Sequence, residues 1–302
     1  MLNFQSHNRP TIPRRTQRPM PCIEKDTKLA PGRFPLAATM RRRWQSLQTR
    51  PGWQHAERAL LTLGLVLLFV VGYFAVGHSR DSAQAFDLNT HFDDLIPFVP
   101  ASIWIYVWVF PAALMPLFVV RCPRLFRLTA AAYAIAIAVS LVCFTLLPVT
   151  SQRLRAPRSA LDPGQASDWL VALVYAVDPP YNLFPSLHLS IAALAALSVW
   201  SASRRYGLIA FVAVILVGVS VCTAKQHFVL DVVGGLVVGT LVGTALLGRY
   251  RAAPGVSPAF SWRGPALYVA IVIVTYAALY AGWQLLDASP LGVVPQSGLH
   301  GA

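Results

Sequence analysis

Charged residues are scarce in this sequence, and acidic residues are the scarcest. Only 12% of its 302 residues are charged, whereas 56% are hydrophobic. Average soluble domains carry about 25% charged residues. Asp and Glu number 12 against 25 Lys and Arg, which gives a net charge of +13. This composition excludes an ordinary soluble domain and predicts a membrane protein with several spans.

Cysteine is also rare, and its spacing is uninformative for metal or redox chemistry. The four cysteines are Cys22, Cys122, Cys143 and Cys222, and no two of them form a CxxC pair. This spacing argues against a zinc site or a redox pair. They also fall on different sides of the predicted bilayer, so we expect no structural disulfide. No cofactor is expected.

Long apolar runs dominate what is present. Seven stretches come near the roughly 20 residues that cross a hydrocarbon core. They are Ala59 to Gly77, Ala101 to Val120, Leu128 to Leu147, Ser186 to Trp200, Tyr206 to Cys222, Phe228 to Leu247 and Ala266 to Leu286. We predict an all-α, polytopic helical bundle with six core spans in residues 59–250. We expect residues 251–302 to form a linker, a seventh span and a short tail. If the apolar run from Ala266 to Leu286 lies in the membrane interface instead of crossing, the protein has six spans.

Arginine is concentrated before the first span, in residues 1–58, which are also rich in Pro, Gln and Thr. We interpret this segment as a disordered basic arm in the cytoplasm. Such an arm next to a span acts as a topology signal and attracts anionic lipid. The excess positive charge therefore does not indicate a nucleic-acid partner.

The loops alternate in charge. Those after the second, fourth and sixth spans are basic and are expected in the cytoplasm with the N-terminus, whereas the acidic loop after the first span is expected outside. Residues 148–185 also fall outside, although this loop contains Arg153, Arg155 and Arg158. These arginines indicate either an anion site, such as a phosphate site, or contacts with lipid headgroups.

Trp104, Tyr106 and Trp108 are interpreted as an interfacial aromatic belt without a chemical role.

Two segments place polar residues at the outer ends of apolar runs. In Phe184-Pro185-Ser186-Leu187-His188 the proline suits the first turn of a helix, whose free amides attract anions. Ser186 can donate a hydrogen bond there, and His188 can donate or accept a proton. A capped helix with an interfacial histidine is the alternative interpretation.

In the second segment, His227 and Asp231 stand four residues apart, on one face of the predicted sixth helix. An Asp at this depth is costly without a partner. Its carboxylate can accept the imidazole N–H and leave the other ring nitrogen free for nucleophilic attack, which would form a phosphohistidine. A structural ion pair is the alternative. A metal site is disfavoured because no third ligand completes it beside His188, His227 and Asp231.

These motifs resemble a known family. FPSLH, followed about 40 residues later by KQHFVLD, is similar to the second and third motifs of the type 2 phosphatidic acid phosphatase superfamily. The closer likeness is to its inositol phosphorylceramide synthase and inositolphosphotransferase branch, over Ile96 to Leu247. The resemblance implies that His227 is the nucleophile, Asp231 its orienting partner and His188 the general acid. Ser186 would help to hold the phosphate.

The sequence departs from the family pattern at two phosphate-binding positions. The family's first motif, KxxxxxxRP, is matched only by Arg155-Ala156-Pro157, with Pro148 in the lysine position. In the third motif, Val221 stands where the family has an arginine. Lys225 or Arg153 is expected to supply the missing charge.

The resemblance implies a multi-pass membrane enzyme, and the charge pattern of the loops predicts an active site on the outer face of the cell membrane. It would cleave or transfer the phosphoryl or phospho-headgroup of a lipid phosphate, surrounded by membrane lipids and without a metal. Water as acceptor gives a phosphatase, and an alcohol such as inositol gives a transferase. The alternative is a non-catalytic membrane protein or a proton-coupled transporter that uses the intramembrane His and Asp.

Overall fold

A computed structural model describes residues 51–79, 85–162, 164–248, 250 and 263–286. These residues form helices and connecting segments, with no β-strand among them. In chain order the α-helices are α1 Pro51–His78, α2 His91–Leu95, α3 Ile103–Tyr106, α4 Val109–Ala113, α5 Met115–Val119, α6 Pro123–Leu146, α7 Ala166–Val177, α8 Leu187–Ala202, α9 Arg204–Thr223, α10 Val229–Leu247 and α11 Arg263–Leu286. The expected all-α fold is confirmed for this part of the chain. Most of the expected basic arm, the linker and the tail lie outside the described residues.

Five of these helices are long and apolar enough to cross a membrane: α1, α6, α9, α10 and α11. The second predicted span is divided into α3, α4 and α5, because Pro111 and Pro116 interrupt the pattern of helical hydrogen bonds. The fourth predicted span is α8, which has 16 residues and is therefore only about 24 Å long. Both regions remain apolar; α8 lies in the interior of the bundle, whereas α3 to α5 are partly buried.

Helix α8 is the central element of the bundle. Its buried residues run from Leu187 to Val199 on several faces of the helix, and α6, α9 and α10 surround it. Helices α1 and α11, in contrast, bury only 6% of their most apolar stretch within the protein. The polar residues at the start of α8 are therefore held by the best-packed part of the molecule.

Glycines on α10 allow it to lie against α8 with the backbones in contact. A Cβ atom added at Gly235 would lie 2.3 Å from the carbonyl oxygen of Ser186, and one added at Gly239 would lie 2.6 Å from that of Ser190. Small residues at this spacing are typical of tightly packed membrane helices. The approach is closest near Ser186 and brings the beginnings of the two helices together.

Helix α1 is fixed by polar contacts at both ends. Near its beginning, Glu57 forms a bidentate ion pair with Arg127 of α6, with N···O distances of 2.7 and 2.9 Å. Near its end, the carbonyl oxygen of Tyr73 accepts a 2.7 Å hydrogen bond from Asn182. Because α1 is tied at both ends, its inner face forms a stable wall beside α8.

Candidate active site

His188 is positioned by the start of α8. Pro185 and the N-cap residue Ser186 precede the helix, and the Ser186 hydroxyl accepts a 3.4 Å hydrogen bond from the Leu189 amide. The Ser186 amide donates to the Asp231 carbonyl oxygen at 3.0 Å, which joins the beginnings of α8 and α10. His188 therefore lies in the first turn of α8, facing the residues that precede α10.

Asp231 combines a structural and a chemical contact. It is fully buried, and its Oδ2 accepts hydrogen bonds from the Phe228 amide at 2.9 Å and from His227 Nδ1 at 3.3 Å. The first contact caps α10, whose first residue is Val229. The sequence pattern predicted that His227 lies on a face of this helix, but His227 precedes the helix. Its predicted pairing with Asp231 is present.

The two histidines are in direct contact. His188 Nδ1 and His227 Nε2 are 3.0 Å apart, and the rings meet edge to face. His227 is 3% exposed, which places the contact away from bulk water. With Nδ1–H of His227 directed to Asp231, the lone pair of Nε2 points towards His188. The sequence-predicted residues His188, His227 and Asp231 therefore form one hydrogen-bonded chain.

Sequence reasoning missed three residues that extend this chain. Tyr106, interpreted above as part of an aromatic belt, is fully buried, and its hydroxyl lies 3.1 Å from His188 Nε2. The same hydroxyl lies 3.4 Å from Oδ2 of Asp178, at the end of α7. Tyr73 of α1 donates to Oδ1 of Asp178 at 2.5 Å. Two carboxylates, Asp231 and Asp178, thus flank the two histidines.

Arg155 lies beside the residue that precedes the candidate nucleophile. Its guanidinium donates to the carbonyl oxygens of Tyr175 and Asp178 at 2.8 and 2.9 Å, and to Gln226 Oε1 at 3.3 Å. Two donor atoms in this group, Arg155 Nε and Gln226 Nε2, are buried without a hydrogen-bond partner among the described residues. Gln226 was not singled out in the sequence, although it stands next to His227.

Tyr175 of α7 supports this arginine without reaching the histidines. The guanidinium lies over its ring, 4.9 Å from the centroid, and its hydroxyl donates to the Ala224 carbonyl oxygen at 2.9 Å. Burial raises the pKa of Tyr175 to about 12, so the hydroxyl stays neutral and remains a donor. It is a structural contact between α7 and the turn before His227.

The other two predicted phosphate ligands are placed differently. Lys225 has a positive φ of 56°, and its Nζ donates to the carbonyl oxygens of Asp93 and Ile96 at 3.1 and 2.6 Å. It therefore ties the turn before His227 to α2 and to the residue that follows α2. Arg153 is exposed and makes no hydrogen bond or ion pair with the residues that the structure describes.

An apolar cavity adjoins His188. Its volume is about 340 Å³, and it lies between α1, α4, α5, α6 and α8. Its lining is mostly apolar and includes Phe69, Phe110, Leu114 and Tyr133. His188 also lines the cavity, whereas His227 does not. A cavity of this size and character suits an apolar ligand.

The described residues form a multi-pass helical membrane protein that contains a buried His–His–Asp chain. The family model of the PAP2 superfamily matches residues 82–245. This match covers more than half of the 302 residues, and the chain belongs to the PAP2 superfamily. Members are generally phosphatases, and membership indicates an enzyme acting on lipid phosphates. Comparison with curated proteins and with solved structures gave no match.

Proposed function

We propose that this protein is a membrane phosphatase or phosphotransferase that uses His227 to form a covalent phosphohistidine from a lipid phosphate. The observation that carries the proposal is the chain from Asp231 through His227 to His188. It supplies an oriented nucleophile with a proton donor beside it, which is the arrangement that nucleophilic catalysis requires. The PAP2 motifs surround these residues, and we assign the branch related to inositolphosphotransferases from FPSLH and KQH.

In the first step, the lone pair of His227 Nε2 attacks phosphorus and the bond from phosphorus to the lipid oxygen breaks. The electron pair of that bond goes to the lipid oxygen, which takes the proton from His188 and leaves as an alcohol. In the second step, His188 takes a proton from water or an acceptor hydroxyl, whose oxygen attacks phosphorus. The phosphorus–nitrogen bond breaks, and its electron pair returns to His227.

In-line displacement requires the two histidines to separate. Phosphoryl transfer places the attacking and leaving atoms on opposite sides of phosphorus. With an attack distance of about 3 Å, an acid that protonates the leaving oxygen must lie roughly 6 Å or more from the nucleophile. The observed separation is 3.0 Å. We infer that the phosphate enters between the rings and that His188 moves away from His227.

The position of the cavity favours a lipid as the source of the leaving group. His188, which protonates the leaving oxygen, lines the cavity, whereas His227 does not. An apolar tail in the cavity would therefore extend from the leaving alcohol, on the side of phosphorus opposite to the nucleophile. This arrangement fits the in-line geometry and a substrate whose released product is a lipid alcohol.

For the phosphate itself, we assign Arg155, Ser186 and the free amides at the start of α8. Arg155 brings a fixed positive charge next to Gln226, and Ser186 stands two residues before His188. These groups neutralise the oxygens of the transferred phosphate without a metal. We propose Lys225 and Arg153 as further phosphate ligands, and only their positive charge supports this role.

We place the active site on the outer face of the cell membrane, with the N-terminus in the cytoplasm. The support is the distribution of basic residues, which favours a cytoplasmic location for the loops at the other end of the bundle. In this arrangement the broken helices α3 to α5 and the short helix α8 count as spans, giving six core spans and a seventh, α11. Because α8 is surrounded by other helices, it does not need the full length of a lipid-facing helix.

The function is tested by product analysis with purified full-length protein in detergent. Labelled phosphatidic acid and labelled phosphatidylinositol are offered separately, each with and without ceramide. We expect wild-type protein to release phosphate or to transfer the headgroup, and His227→Ala and His188→Ala to lose at least about 100-fold in rate, since each lacks one catalytic group. Folding is checked by gel filtration. Normal turnover by His227→Ala would refute the proposal.

A further inference from the structure

Tyr106 connects His188 to a carboxylate outside the family motifs. Its hydroxyl lies between His188 Nε2 at 3.1 Å and Asp178 Oδ2 at 3.4 Å. Tyr106 is 0% exposed, and Asp178 is held by Tyr73 through its other oxygen and by Arg155 through its carbonyl oxygen. Two tyrosine hydroxyls therefore hold the carboxylate, and Arg155 holds the backbone of the same residue.

The single hydroxyl proton of Tyr106 links the charge of His188 to Asp178. When His188 is neutral, with its proton on Nδ1, the hydroxyl donates to Nε2. When His188 is protonated on both nitrogens, Nε2 donates to the phenol oxygen, and the hydroxyl proton turns to Asp178. A carboxylate at the end of this chain favours the second arrangement, in which His188 is an acid.

The contact with Tyr106 gains importance when the histidines separate. His188 has two hydrogen-bond partners in the described part of the chain, His227 and Tyr106. In-line attack removes the first, so Tyr106 is left as the polar anchor of the ring. The rings of Tyr106 and Phe110 also pack against His188, with centroid distances of 5.2 and 5.9 Å.

We propose that Asp178, acting through Tyr106, is a positioning residue that holds His188 in its protonated form and directs its Nδ1–H towards the leaving oxygen. This inference rests on the proposed role of His188 as general acid. It assigns the site two carboxylates with separate tasks. Asp231 orients the nucleophile, and Asp178 supports the acid.

The test compares two substrates that differ only in how much the leaving group needs a proton. They are an octylphenyl phosphate and its nitro-substituted analogue, whose phenolate leaves readily without protonation. Full-length wild-type protein and the variants Tyr106→Phe, Asp178→Asn and His188→Ala are mixed in detergent with each substrate. The rate of phenol release in the first turnover is measured, so that the second step, in which His188 acts as base, does not enter the comparison. Tyr175→Phe is the matched control, because it removes a buried tyrosine hydroxyl that does not contact His188 or Asp178.

We expect His188→Ala to lose about 100-fold or more on the octylphenyl phosphate and much less on the nitro analogue. Tyr106→Phe and Asp178→Asn should show the same selectivity, with a loss of about tenfold on the first substrate, as part of the effect of the acid. Tyr175→Phe should change both rates by the same factor. A general loss of packing would also lower both rates equally.

The outcomes separate the inference from the proposed function. If Tyr106→Phe and Asp178→Asn lower both rates equally while His188→Ala remains selective, the positioning role is overturned and the acid role of His188 stands. If His188→Ala is itself unselective, or if the wild-type protein turns over neither substrate, the proposed function fails and this inference fails with it.

Discussion

Asp231 has two contacts that a substitution can separate. Its Oδ2 caps α10 through the Phe228 amide and accepts from His227, while Oδ1 is buried without a partner among the described residues. The cap requires only an acceptor oxygen, whereas stabilising a charged His227 intermediate requires the negative charge. The sequence spacing predicted the pairing, because residues four apart meet at a helix start as well as within a helix.

Asp231→Asn and Asp231→Ala should therefore differ. Asparagine retains an acceptor for the Phe228 amide, so we expect a folded protein whose activity falls at least about 100-fold, since the tautomer of His227 is no longer fixed. Alanine also removes the cap and should destabilise the protein by about 2 kcal/mol. Thermal unfolding in detergent and initial rates measure the two effects. Equal melting temperatures for the two variants would contradict the capping role.

Tyr106 and Asp178 show where sequence reasoning stopped. Tyr106 lies in an aromatic run at the start of an apolar segment, a pattern typical of interfacial belts. Its partners are 72 and 82 residues away in the chain, and Asp178 reaches Tyr73 across 105 residues. Such contacts depend on how the helices are packed, and no local spacing encodes them.

Among the elements, the pair α8 and α10 sets the geometry of the site. Their contact is so close that Gly239 has no space for a side chain, since an added Cβ would lie 2.6 Å from the Ser190 carbonyl oxygen. His188 is carried by α8, and His227 and Asp231 are held at the start of α10. The separation of these helices therefore determines whether the histidines meet. Hydropathy predicted both helices but not the division of the second span into short pieces.

Gly239→Ala tests this dependence. The added methyl should push α8 and α10 apart, lowering the melting temperature and reducing activity by about tenfold or more, because a 1 Å displacement can cost about 100-fold in rate. Gly64→Ala is the control, since Gly64 lies on α1 with open space around it. There the change should leave activity intact and slightly favour the helix. Similar behaviour of the two variants would show that the close contact does not control the site.

At the scale of the whole molecule, the site lies where an apolar cavity meets a buried polar chain. The cavity is enclosed partly by α1, a helix that is mostly exposed. In the bilayer that exposed surface faces lipid, and the cavity is close to the source of a lipid substrate. Composition and charge predicted a membrane protein, but the cavity arises from the packing of five helices.

The most direct test of the account is to find the covalent intermediate. Wild-type protein and the His188→Ala and His227→Ala variants are mixed with the nitro-substituted octylphenyl phosphate, quenched in alkali and analysed by mass spectrometry for modified peptides. We predict phosphate on His227, accumulating most in His188→Ala because that variant lacks the base for the second step, and absent from His227→Ala. Phosphate on another residue, or turnover by His227→Ala, would contradict the account.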